Sequence, residues 1–181
     1  MADWSRIARR VRVPLGFAFA VFFFFFAKPT WRSILLALPF ILLGLIIRAS
    51  ASGHVRKNEE LTTTGPYAYT RNPLYLGSLV LAAGFLVAAR NWWITAVAIA
   101  IFCIIYIPVI RSEASFLRIQ FPEYDEYARN VPVLLPRMTA FRHHNQLFSW
   151  SLYWKHREYN AATGAIVMLI ALAAKCAWSA R

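Results

Sequence analysis

The chain has 181 residues, 59% hydrophobic and 16% aromatic, with 20 Lys and Arg against 8 Asp and Glu and a mean hydropathy of +0.47. That balance excludes an ordinary soluble domain and points to an integral membrane protein. The formal charge of +12 fits the positive-inside bias of such proteins. No basic segment is laid out as a groove reader, so nucleic acid is not expected as a partner.

Residues 1–12 carry Arg6, Arg9, Arg10 and Arg12, and the apolar run 13–27 follows with consecutive phenylalanines from Phe22 to Phe26. The A-x-A pattern at Ala18 and Ala20 sits in mid-run, so the segment reads as a retained first span and not as a cleaved signal. After the link Lys28-Pro29-Thr30, a second span covers 31–47 and ends at Arg48. Residues 49–60 are polar. A third span over 73–89 and a fourth over 92–110 are joined by Arg90-Asn91, with Trp92 and Trp93 as interfacial anchors. Gly77, Ala82, Ala83 and Gly84 permit close helix approach, and Pro108 predicts a kink.

The segment 61–77, LTTTGPYAYTRNPLYLG, interrupts the apolar pattern. Gly65-Pro66 cannot continue a helix, and Pro73 suits the first position of the next one, with Asn72 as its cap. Arg71 adds a full charge to the dipole of that helix start, which suits a carboxylate or phosphate. A plain loop, with Tyr67, Tyr69 and Tyr75 as an interfacial belt, is the competing interpretation.

Residues 111–137 hold a dense run of charge. Phe116, Leu117 and Phe121 lie at helical spacing, Pro122-Glu123 opens a short helix bearing Tyr124 and Tyr127, and Pro132 and Pro136 predict an extended strap folded back over the bundle. Residues 138–159 are polar, and 161–178 form a last span with Lys175 snorkelling near its far end. Cys103 and Cys176 are isolated, and the adjacent His143 and His144 point to different faces of any regular element, so no metal site is expected.

These elements predict an all-α membrane protein of about five transmembrane helices, with a cytoplasmic amphipathic helical segment closing a cofactor pocket. Residues 1–137 make the core, and 138–181 add a polar interfacial segment and an extra span. With the amino terminus inside, 15 of the 20 Lys and Arg fall on the cytoplasmic side. A bacterial inner membrane is the expected compartment.

Arg71, Asn72, Pro73, Leu74, Tyr75, Leu76 and Gly77 resemble the Arg-His-Pro-x-Tyr-x-Gly signature of the isoprenylcysteine carboxyl methyltransferase and phospholipid methyltransferase superfamily, with Asn72 in place of His. Glu113, Leu117, Phe121, Tyr124, Tyr127, Val131 and Pro132 resemble the same superfamily's second motif, with Ala114 for a second Glu and Pro122 for Gly. The resemblance covers about residues 40–137. It implies S-adenosylmethionine as cofactor, a methyl acceptor that is lipidic or a small hydrophobic molecule, and membrane lipids as partners. It places cofactor binding on Tyr67, Tyr69, Arg71, Asn72, Pro73, Tyr75, Gly77, Glu113, Tyr124, Tyr127, Val131 and Pro132, with Glu113, Arg111 and Tyr75 closest to the chemistry. An NADPH-dependent membrane sterol-type reductase and a noncatalytic scaffold of the same fold are the alternatives.

Overall fold

A computed structural model describes residues 2–57, 59–141 and 147–179. The His143-His144 pair lies outside the described residues. Helix α1 spans Ala2–Phe26, α2 Trp31–His54, α3 Pro73–Ala89, α4 Trp92–Ile101, α5 Ile107–Gln120, α6 Tyr124–Asn130, α7 Trp150–Lys155 and α8 Tyr159–Ser179. A 3-10 turn occupies Gly65–Ala68, and a π-helical turn, Phe102–Tyr106, joins α4 to α5. No strand occurs among the described residues, so the all-α expectation holds.

Three described helical stretches are long and apolar enough to cross a membrane: Trp31–His54, Trp92–Gln120 and Tyr159–Ser179. Pro14–Phe26 and Pro73–Ala89 are apolar but shorter. The latter has 17 residues, and at ~1.5 Å per residue it falls a few ångströms short of a ~30 Å hydrocarbon core.

One end of the bundle is fastened by caps. Thr30 Oγ1 accepts from the Ser33 amide at 3.1 Å, and Ser33 Oγ accepts from the Thr30 amide at 2.9 Å, a capping box that starts α2. The Ser33 hydroxyl also donates to the Ala88 carbonyl at 3.1 Å, tying the start of α2 to the end of α3. Asn91 caps α4 through the Trp93 amide, and its side chain donates to Phe26 O at 2.8 Å. Lys175 bonds the Phe24 and Phe25 carbonyls at 2.6 and 2.8 Å, so its charge meets the dipole at the end of α1.

Helices α2 and α3 make the closest contact. A Cβ on Gly44 would lie 2.6 Å from Leu81 N and 2.7 Å from Gly77 O; one on Gly84 would lie 2.8 Å from Ile41 Cγ1. Gly77 and Gly84 therefore carry the approach, whereas Ala82 and Ala83 face outward. Ile34, Ala37, Ile41, Ala88, Ile94 and Leu172 fill the buried core around this seam.

Several boundaries differ from expectation for identifiable reasons. Helix α2 runs past Arg48 to His54 because the Arg48 charge is paired inside the protein and has no need of an interface. Helix α1 begins at Ala2, ahead of the apolar run. The charged residues after Ile110 continue the same helix as the fourth apolar run, and the irregularity falls at Phe102–Tyr106, just before Pro108. A proline without an N–H and with a ring crowding the preceding turn accounts for that bulge. Asn72 occupies the α3 N-cap position without a side-chain cap bond; its amide donates to Val133 O at 2.8 Å instead.

Candidate functional site

The loop between α2 and α3 is held by the strap that follows α6. Arg71 N donates to Pro132 O at 2.9 Å, the Thr70 hydroxyl to Leu134 O at 2.9 Å, Arg137 N to Tyr69 O at 2.9 Å and Phe141 N to Ala68 O at 3.0 Å. Loop backbone that would otherwise need solvent is thus satisfied by a partner more than sixty positions away. From below, Tyr127 inserts its ring and donates its hydroxyl to Tyr67 O at 2.7 Å in a buried bond. Tyr124, Tyr127 and Val131 form the small core of this cap with Leu61, Leu117 and Phe141 packed around it.

Between this cap and the helices lies a cleft of about 630 Å³, within the usual range for small-molecule sites. Of the sequence-predicted residues, Tyr67, Arg71, Asn72, Tyr75, Glu113, Tyr124 and Tyr127 line it. The Tyr75 hydroxyl donates to Glu113 Oε1 at 3.1 Å, so the two motif segments touch directly. Arg71 Nη1 donates to the Tyr124 hydroxyl at 3.3 Å, while Arg71 Nε is buried with no hydrogen-bond partner among the described residues.

The remaining predicted residues lie elsewhere. Tyr69 is exposed, with its carbonyl on Arg137; Pro73 is buried at the start of α3; Val131 is buried in the cap core. Pro132 acts through its carbonyl on Arg71 N. Gly77 packs under α2, where a Cβ would lie 2.6 Å from Arg48 Cγ. Arg111 is exposed on α5 and does not line the cleft.

Burial pushes the Tyr67 phenol well above its ordinary range, and the nearby Tyr127, Glu113 and Glu158 push it the same way. Burial also raises Tyr127, against the opposing pull of Arg71, with Tyr124 adding to the rise. Both side chains are neutral phenols at physiological pH, able to donate without carrying charge.

Sequence reasoning missed the far wall, built by Arg48, Ser52, Ser78, His156 and Glu158. Arg48 Nε and Nη2 grip Glu158 at 2.6 and 3.1 Å, and Nη1 donates to the Ser78 hydroxyl. His156 Nδ1 lies 3.1 Å from Ser52 O. A charged residue with Ser52 four positions later, both inside an otherwise apolar helix, was the available signal on α2. Nothing local announced Glu158.

The cleft can therefore offer an unpartnered guanidinium N–H, a carboxylate in reach of a phenol, aromatic walls and a second paired arginine. The sequence profile described as phospholipid methyltransferase matches residues 32–123, half of the chain. The nickel-cobalt-cadmium resistance protein NccN of Alcaligenes xylosoxydans xylosoxydans is 41% identical over 87 residues, 48% of this chain and 41% of that protein. The cobalt-zinc-cadmium resistance protein CzcN of Cupriavidus metallidurans is 36% identical over 107 residues, 59% of this chain and 48% of that protein. The aligned region thus spans less than half the length of either relative. No solved structure matches the chain.

Proposed function

The chain belongs to the phospholipid methyltransferase family, and from that premise we propose that it is an integral membrane enzyme moving a methyl group from S-adenosylmethionine to a lipidic or small hydrophobic acceptor. One observation carries the proposal: the two motif segments meet across one cleft, Tyr75 on Glu113, beside an Arg71 whose buried Nε lacks a partner.

The donor set fits this cofactor. Arg71 would hold its carboxylate, Glu113 its ammonium, and the rings of Tyr67, Tyr75, Tyr124 and Tyr127 would wall the adenine and face the cationic sulfur. When bound, S-adenosylmethionine supplies an electrophilic methyl group on a sulfonium centre. The protein's share is alignment and exclusion of water, because an in-line displacement needs no nucleophilic side chain. A carboxylate acceptor needs no base. An amine or thiol acceptor needs its proton removed, and Glu113, hydrogen-bonded by Tyr75, is the group placed to take it. Asn72, where the superfamily's usual form has His, holds the strap through Val133 O, a task that requires no imidazole.

The proposed topology has five spans, with the two shorter apolar helices accommodated by local thinning of the bilayer and by flanking residues. The amino terminus and the cleft lie on the cytoplasmic side of a bacterial inner membrane, with residues 1–137 as the core and 138–181 appended. Cofactor then enters from the cytosol and acceptor from the lipid. The names of the two relatives supply a physiological setting, and deletion of the gene is expected to lower tolerance to nickel, cobalt, zinc or cadmium. The enzymatic test is transfer of labelled methyl from S-adenosylmethionine into a lipid extract of the native membrane by purified protein. Incorporation that requires Glu113 and Arg71 supports the proposal; label that never leaves the cofactor with any lipid, amine or thiol fraction overturns it.

A further inference from the structure

The cleft contains two buried side-chain atoms without hydrogen-bond partners among the described residues, Arg71 Nε and Ser52 Oγ. The first belongs to the motif loop and the second to α2. Ser52 is 1% exposed, and a buried hydroxyl with no partner costs about 1–3 kcal/mol, so its place on a cleft wall points to a ligand that completes it. Arg48 lies four residues earlier, one turn away on the same helix face. Both residues line the cleft.

Arg48 is set with unusual care for a wall residue. Glu158 takes its Nε and one Nη2 hydrogen, and Ser78 takes one at Nη1. The Ser78 hydroxyl in turn donates to Leu74 O at 2.8 Å, which commits it to that orientation. The remaining Nη hydrogens of the guanidinium fork are left to donate. Glu158 reaches this position through a turn in which Arg157 adopts φ 53, a conformation costly for a residue with a side chain. The turn is anchored on the α2 side by His156 on Ser52 O.

We infer that Arg48 and Ser52 form a second ligand-binding subsite of the cleft, which hydrogen-bonds the neutral oxygens of the cofactor, its ribose hydroxyls, and that Glu158 is the positioning residue for Arg48. Because Glu158 balances the Arg48 charge, this end of the cleft donates hydrogen bonds without attracting a second anion. Arg71 is left as the arginine for the carboxylate. Glu158 lies beyond the residues 32–123 that match the family profile, so the segment preceding α8 completes the site instead of merely following it. The inference rests on the methyltransferase proposal and deepens it.

The test is calorimetric titration of S-adenosylhomocysteine into the full chain in nanodiscs, with thermal unfolding measured on each variant. Ser52→Ala removes no hydrogen bond found within the protein, so a structural role predicts unchanged affinity. The subsite predicts affinity about threefold to tenfold weaker at equal stability. Glu158→Gln is expected to weaken binding about tenfold. The apolar replacement Arg48→Met with Glu158→Leu removes both charges together and is expected to restore stability without restoring affinity. Wild-type protein that binds no S-adenosylhomocysteine overturns the methyltransferase proposal and this inference with it. Wild-type binding that Ser52→Ala and the apolar pair both retain overturns the subsite alone.

Discussion

Gly44→Ala is expected to destabilise the protein, although alanine is the better helix former. The added methyl carbon would sit 2.6 Å from Leu81 N, 2.7 Å from Gly77 O and 2.8 Å from Leu81 Cα, all backbone atoms of α3. No rotamer change relieves a contact with backbone, so α2 and α3 must separate by several tenths of an ångström to reach ordinary contact distance. Overpacking of this kind costs about 1–3 kcal/mol, and the rigid obstruction places Gly44 toward the upper end. Intrinsic propensity returns about 1 kcal/mol, which leaves a net loss of about 1–2 kcal/mol. Gly164 in α8 is the control, because nothing lies within 4 Å of a Cβ there; Gly164→Ala is expected to stabilise by up to about 1 kcal/mol. Equilibrium unfolding of both variants in the same detergent, followed by circular dichroism, reads the difference. The separation also displaces Arg48, one turn along α2, so ligand affinity should fall with stability. A Gly44→Ala protein as stable as Gly164→Ala would refute the close-packed seam.

Arg71→Ala and Glu113→Gln are each expected to weaken S-adenosylhomocysteine binding at least tenfold, as loss of a charged hydrogen-bonding partner does, while the protein stays inserted and folded; unchanged affinity in both would remove the proposed site. Tyr127→Phe deletes the buried bond to Tyr67 O and leaves that carbonyl unsatisfied, at a cost of about 1–3 kcal/mol in unfolding free energy, with proteolysis of residues 61–72 as a second readout. Alkaline pH should unfold the cap. Burial raises the Tyr67 and Tyr127 phenols, so their contribution is full below the ordinary tyrosine pKa of about 10 and is lost as pH rises beyond it. Ultraviolet titration should show these phenolates forming only with unfolding, and reversible titration of every tyrosine near the ordinary value would contradict their burial.

The parts of the fold legible in the sequence were those set by local punctuation. Pro73 and Arg90-Asn91 bracket α3 at the observed bounds, and Pro122-Glu123 marks the start of α6. Thr30 identifies the start of α2 for the same reason, since its cap bonds involve only residues within one turn. Expectation failed where a long-range partner changed what a local feature meant. Arg48 reads as a span end until Glu158, 110 positions later, pairs with it and lets α2 continue. Asn72 reads as a cap until Val133 takes its amide. The site divided along the same line. Motif wording led to Arg71, Tyr75 and Glu113, which converge on one cleft, but no spacing rule connects Ser52 or Glu158 to them. Gly77 was singled out by its motif, and its place under Arg48 is a packing role.

The central claim is that this cleft binds the methyl donor. Calorimetric titration of S-adenosylhomocysteine into the wild-type protein in nanodiscs, with NADPH in parallel, tests it without knowledge of the acceptor. The account predicts saturable binding of S-adenosylhomocysteine in the micromolar range and none of NADPH. Binding of NADPH alone, or of neither by demonstrably folded protein, would contradict it.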